Sequence, residues 1–237
     1  MPETSDAITD RRFVDELFAI QRELSFRDPM LDAVRRGSID ISSVRLWTLQ
    51  ASLVVKEFTR FISAIHANCP HREAQELLAE NLWEEHGEGI KTSDHYSLIR
   101  KMACGLGATD RELDEVQPLQ ETSEYIDHCL RITRDLSFIE SMTAIAIGIE
   151  IYMPAFFGAL AEALCYRYGL SRNDVEYLMV HVVEDKTHAR RALGLIEEYA
   201  NTPAIKQSCK QALRDILLVK RRFSLAIYDY CAGSSSI

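Results

Sequence analysis

The residues best suited to do chemistry in this chain are His181, Asp185 and His188. They form an H-x3-D-x2-H run inside Leu178-Met179-Val180-His181-Val182-Val183-Glu184-Asp185-Lys186-Thr187-His188. On a helix, positions i, i+4 and i+7 fall within about 60° of one another, so two imidazoles and a carboxylate leave from one stripe. That combination suits a borderline metal such as iron, manganese or zinc. The flanking Met, Val and Leu residues turn the stripe inward, where three polar groups are costly unless something satisfies them. A metal ion would do so. A solvated helix face with one satisfied histidine is the plainer alternative, and these three residues alone weigh the two equally.

Two other segments supply further ligands. Glu150 lies in the almost wholly apolar run Met142–Tyr166, which is long enough to span a bilayer. It also carries Glu162, with Pro154 between the two acids. A carboxylate at mid-span costs about 2.5–3.5 kcal/mol even on a lenient insertion scale. The run therefore reads as a helix at the centre of a soluble bundle, and Glu150 as a buried carboxylate that needs a metal or a basic neighbour. The other segment is Asn81-Leu82-Trp83-Glu84-Glu85-His86-Gly87-Glu88-Gly89, followed by His95. Glu85 ends one helix and His95 opens the next. Ten residues apart, they need a bent connection to meet. Glu84, His86 and Glu88 compete for the same role, and acidic runs are commonly solvated faces.

Together Glu85, His95, Glu150, His181, Asp185 and His188 offer three carboxylates and three imidazoles. Six such ligands suit two ferrous ions with open positions for dioxygen and a substrate. No thiolate is needed, which disfavours iron–sulfur chemistry and a structural zinc site.

The elements that must position these groups are helical. Strand alternation is absent, and the apolar period predicts eight helices: Thr9–Phe26, Ser42–Ala67, His71–Glu85, His95–Leu106, Thr122–Thr133, Leu136–Tyr168, Ser171–Tyr199 and Pro203–Tyr230. Cys69-Pro70 ends the second, Gly107 stops the fourth, and Thr109 is placed as a cap. Gly169 ends one helix and Ser171 caps the next. With 237 residues the chain suits one all-α bundle over residues 1–232, with a frayed tail at 233–237. A net charge of -9 makes it a poor partner for nucleic acid or an anionic membrane. The six cysteines form no C-x2-C pair and follow a polar, acidic N-terminus, so they read as reduced thiols in a cytoplasmic protein.

The chain resembles the haem-oxygenase-like diiron oxidases, in the wider group of TenA-type and PqqC-type proteins. Ser63-Ala64-Ile65-His66 with Cys69, Asn81-Leu82-Trp83-Glu84-Glu85, His95 with Gly105-Leu106-Gly107, Glu150 with Pro154, and His181-x3-Asp185-x2-His188-Ala189-Arg190 carry the likeness, in order. Within that group the chain resembles the chlamydial branch of self-sacrificing para-aminobenzoate synthases. The resemblance implies a haem-oxygenase-like bundle, a homodimer, and iron bound by the six residues above with Glu150 as the bridge. The longer gap between Glu85 and His95 keeps Glu88 in contention. Leu31 stands where that branch consumes a tyrosine, and Leu160 where it has its nitrogen-donating lysine. A retained metal site with changed substrate chemistry is the expectation.

No histidine precedes His66, which disfavours haem. A thiaminase would need an activated cysteine, and neither Cys69 nor Cys129 has an obvious partner in sequence. The expected activity is dioxygen-dependent oxidation of a small carboxylate, preferably an amino acid, with an external reductant as a further partner. Fatty-acid decarboxylation and a non-enzymatic interaction module are the alternatives. One iron would sit mainly on the Glu85 and His95 side, the other on the His181, Asp185 and His188 stripe. Gly87 and Gly89 would let the helix ending at Glu85 shift, so that the second iron loads weakly until substrate arrives. Lys56 and Arg60, one turn apart, could clamp a carboxylate, or snorkel and pair with acids such as Glu57. Phe61, Tyr152, Phe156 and Phe157 could wall the pocket or serve as simple core.

Overall fold

A computed structural model describes residues 11–234. Among them the chain forms eleven α-helices and no strand. They are α1 (Arg11–Leu24), α2 (Pro29–Arg36), α3 (Ile41–Asn68), α4 (Arg72–Glu85), α5 (His95–Gly105), α6 (Asp110–Glu115), α7 (Gln120–Asp135), α8 (Phe138–Gly148), α9 (Met153–Tyr168), α10 (Glu176–Tyr199) and α11 (Pro203–Ser234). The long helices α3, α10 and α11, with the buried α8, form the frame: α11 lies along α8 and α7, α10 along α9 and α8, and α3 along α7, α4 and α5.

Three helices exceed the eight expected. Two are short pieces made by local capping. Asp28 accepts the Leu31 N–H at 3.0 Å, Pro29 opens α2, and Gly37 closes it in the left-handed region. Thr109 and Glu112 form a reciprocal capping box that starts the six-residue α6. The third arises because Leu136–Tyr168 is not one helix. A 3-10 turn, Glu150–Tyr152, separates α8 from α9, and Pro154 sits in the first turn of α9. In a continuous helix the proline ring would clash with the carbonyl of residue 150. At the C-terminus, α11 continues through Ser234, past the glycine where fraying was expected, and residues 235–237 lie outside the described ones. Thr9 and Asp10, where the first helix was expected to begin, also lie outside.

The apolar α8 is buried at every position except Glu140. Two apolar clusters make the core. One gathers around Phe61, Ile145 and Leu213, the other around Leu160, Leu164 and Leu178. Helices α8 and α11 approach so closely at Gly148 that a Cβ there would lie 2.5 Å from Ile216 Cγ2.

Candidate metal centre

Helix α4 delivers Glu85 as its last residue. The chain then reverses through Gly87, at φ +73, where a Cβ would run into the backbone nitrogen of Asp94 and lie 2.6 Å from the Ser93 carbonyl carbon. Only glycine allows this close return. Asp94 caps α5 by accepting the Ser97 N–H at 2.9 Å, so His95 begins α5. The bent connection sets His95 Nδ1 2.7 Å from Glu85 Oε2. Of the rivals to Glu85, His86 and Glu88 are exposed. Glu84 is half-buried and lies against His188, 2.6 Å from Nε2.

Helix α10 presents His181, Asp185 and His188 on one inward stripe, at 8%, 3% and 4% exposure. The structure brings these together with Glu85, His95 and Glu150, all buried. Ligand atoms of Glu85, His95 and His181 lie within 4.8 Å of one another. His181 thus joins the α4–α5 side of the cluster, a correction to the grouping expected from the stripe alone. The reason is the tight return at Gly87, which carries His95 over to face His181, with ring centroids 4.4 Å apart.

Each histidine has a second contact that fixes its ring. His181 Nδ1 donates to the Tyr177 carbonyl at 2.8 Å, which leaves Nε2 with its lone pair. His188 Nε2 meets Glu84, and Arg191 in turn lies 3.5 Å from Glu84 and 2.9 Å from Glu80. Glu184 Oε2 lies 3.2 Å from His95 Nε2. Such outer contacts commonly orient metal-binding imidazoles. Meanwhile His188 Nδ1 and Asp185 Oδ2 are buried with no hydrogen bond, and His95 Nδ1 has only its close contact with Glu85.

The electrostatics point the same way. Burial pushes Glu150 up to about 7, with the Glu85 charge adding to it against His188. Burial, then the charges of Glu150 and Glu85, push Asp185 to about 9. Burial and the neighbouring His95 push His181 down to about 4. Burial would also depress His95, but Glu184 and Glu85 lift it to about 10. For Glu85, burial is outweighed by His95, His181 and His188, and its carboxyl falls below the usual range. Among the described residues, no lysine or arginine lies within ion-pair distance of Glu85, Glu150 or Asp185. Three buried carboxylates crowded in a dry site with no lysine or arginine in ion-pair distance, beside three buried imidazoles, form a donor set that fits metal ions such as iron.

Four of the six groups, Glu85, Glu150, His181 and Asp185, open onto a cavity of about 170 Å³. Its lining mixes residues of both core clusters, and Glu85, Glu150, His181 and Asp185 form its polar wall. Tyr152, Phe156 and Phe157 line it, as the sequence suggested, whereas Phe61 is fully buried core. The proposed clamp is a correction: Lys56 and Arg60 are exposed, Arg60 pairs with Glu57, and neither lines the cavity. They sit on the outer stripe of α3, where a long basic side chain keeps its charge in water. Leu31 and Leu160 are also absent from the cavity wall, Leu160 being fully buried core. The cation that does line the cavity is Lys220 of α11, with Asp28 and Ser224 beside it on the wall. Sequence reasoning missed all three, along with the contact of Glu184 to His95.

Residues 45–220 match the sequence profile of a family described as iron-containing redox enzymes. A relative from Nitrosomonas europaea named 4-aminobenzoate synthase is 27% identical over 95% of this chain and 90% of its own. One of the same name from Chlamydia muridarum is 26% identical over 78% of each chain. A haem-oxygenase-like domain of unknown function from Shewanella denitrificans superposes with a TM-score of 0.79, at 12% identity, over 99% of this chain and 97% of its own. A TenA homologue from Pseudomonas syringae gives 0.77 at 14% identity, over 97% and 98%. These likenesses show the haem-oxygenase-like fold.

Proposed function

Because the chain belongs to the family of iron-containing redox enzymes, we propose that its buried cluster holds two ferrous ions and that it oxidises a small carboxylate, preferably an amino acid, with dioxygen. The observation that carries this reading is the convergence of three buried carboxylates and three buried imidazoles with no lysine or arginine in ion-pair distance, among which His188 Nδ1 and Asp185 Oδ2 make no hydrogen bond. Glu85, His95 and His181 would hold one ion, Asp185 and His188 the other, with Glu150 between them. Bound iron would supply the electrons that reduce dioxygen and the oxidising power to attack an unactivated bond.

The chain's own residues do the rest. Tyr177 and Glu84 hold the His181 and His188 rings in place. Trp47, Phe156 and Phe157 wall the cavity and keep water from the reacting centre. A volume of about 170 Å³ is close to that of a cavity which takes a benzene-sized guest, about 150 Å³. That favours an amino-acid-sized substrate over a long fatty acid. Anaerobic ferrous titration, followed by dioxygen uptake with amino acids and fatty acids, tests the reading. About two irons per chain are expected, the second binding weakly until substrate is present. A chain that takes up no iron refutes the oxidase, and tight loading of both ions in the bare protein refutes the staged filling.

The relatives' name supports a second reading, 4-aminobenzoate synthesis. One observation favours it: although Leu31 and Leu160 replace the tyrosine and lysine of the branch, the cavity wall carries Tyr125, Tyr152, Tyr177 and Lys220. Incubation with iron, reductant and dioxygen but no added substrate separates the two. Accumulating 4-aminobenzoate, with a mass change in the chain itself, would support this reading; an unchanged chain would exclude it.

A further inference from the structure

Lys220 is the one lysine or arginine in the cavity wall it shares with Glu85, Glu150, His181 and Asp185. Its Nζ donates to the Gly148 carbonyl at 3.2 Å and lies 3.5 Å from that of Ile149. The Tyr152 ring centroid is 5.2 Å away. No carboxylate lies within ion-pair distance of Nζ among the described residues. An ammonium has three protons, so at least one remains for a ligand. Burial lowers the Lys220 amine to about 8, against the opposing charges of Asp28, Cys129 and Asp185.

Asp28 shares the wall. One of its oxygens accepts the Leu31 N–H as the cap of α2. Burial raises its carboxyl, while the Leu31 and Met30 N–H groups, the Lys220 charge and a hydrogen bond from Ser224, one turn beyond Lys220 on α11, favour the ionised form. An ionised carboxylate has about four acceptor sites, so room remains for another donor. A cation and an anion that are not paired with each other, both facing an apolar cavity, are complementary to a ligand that carries both charges.

We propose that Lys220 and Asp28 recognise an apolar α-amino acid as a zwitterion, Lys220 taking the carboxylate and Asp28 the ammonium, while Trp47, Phe58 and Phe156 receive the side chain. This deepens the oxidase reading and rests on it for the reaction, but the binding step stands apart from iron. A fatty acid would leave the free acceptor site of Asp28 unmet, and a plain amine would leave the remaining proton of Lys220 unmet.

Calorimetric titration of the full chain, iron-free and zinc-loaded, tests the pair. The probes are L-valine, L-leucine and L-phenylalanine, their desamino acids 3-methylbutanoate, 4-methylpentanoate and 3-phenylpropanoate, and 2-phenylethylamine. At least one amino acid should bind about tenfold or more tightly than its desamino counterpart, since a charge-assisted hydrogen bond is at stake. Asp28→Asn keeps a good helix cap and should cost the amino acid about tenfold while leaving the desamino acid unchanged. Lys220→Met should weaken both, and Lys220→Arg should recover part of the loss. The proposal is overturned if no amino acid binds, if the desamino acid binds equally well, or if Asp28→Asn binds like the native chain. Iron uptake is measured separately. Amino-acid binding in a chain that refuses iron sinks the oxidase and leaves the pair standing, whereas full iron with no amino-acid binding sinks the pair alone.

Discussion

Gly87→Ala and Gly107→Ala form a matched pair that tests how the metal centre is assembled. Both glycines have positive φ, +73 and +88, so a methyl at either costs about 1–2 kcal/mol in backbone strain. At Gly107 the new Cβ meets nothing within 4 Å, and that strain is the whole effect. At Gly87 the Cβ collides with the backbone of Ser93 and Asp94. Backbone has no rotamer to escape into, so overpacking of about 1–3 kcal/mol is added, for a total of about 2–5 kcal/mol. Asp94 caps α5, which begins at His95. Relief of the clash must therefore draw His95 away from Glu85, now 2.7 Å distant. Denaturant unfolding reads the first effect, and iron per chain by colorimetric chelation reads the second. A melting shift of about 2–4 °C accompanies each kcal/mol at this chain size. Gly107→Ala should keep its full iron, while Gly87→Ala should lose at least the ion proposed for Glu85, His95 and His181. Equal destabilisation by the two substitutions, or full iron in Gly87→Ala, would refute the role given to this turn.

Four other outcomes are expected. Glu84→Gln and Glu184→Gln should each weaken iron affinity about 10–100-fold by releasing the His188 and His95 rings; chelator competition measures this, and unchanged affinity in both would remove them from the site. Asp185→Asn should stabilise the metal-free chain by about 1–3 kcal/mol, because it removes one of three crowded buried carboxylates, while abolishing one iron; denaturation in chelator decides, and a loss of stability counts against the crowding. Binding of 3-phenylpropanoate should weaken as pH rises through about 8. The amine of Lys220 is lowered, so the cation is present below that value and lost above it; the groups facing it are Asp28, Cys129, Asp185 and Tyr152, and a flat profile from pH 6 to 9.5 would exclude Lys220 as the anchor. Lys56→Ala and Arg60→Ala, on the outer face of α3, should leave substrate kcat/KM within about twofold and stability within about 0.5 kcal/mol; a large loss of activity would restore the clamp.

Much of the site could be read from the sequence because its information is local. The stripe of His181, Asp185 and His188 is a matter of helical period, and an isolated acid in an apolar run marks Glu150 as buried. The glycines at 87 and 89 announced a bend, but not how tight it is. That depends on Asp94 arriving against Gly87, a contact between residues seven apart that no period encodes. The helix break after Gly148 had a visible cause in Pro154, yet the apolar run on both sides masked it, since a buried helix and a buried turn share the same composition. Lys220 was missed for the opposite reason. It stands beside Arg221 and Arg222 and reads as part of a solvated basic run, although Leu213, Ile216, Leu217, Lys220, Ser224 and Ile227 fall at helical spacing. Four of these are buried apolar residues, so the period placed the lysine on the inward face while the local composition placed it outside. Lys56 and Arg60 invert the case, because their neighbours are apolar while their own stripe on α3 is exposed. For a charged residue on a long helix, the stripe it shares with residues three and four positions away is therefore a better guide to its chemistry than the residues on either side.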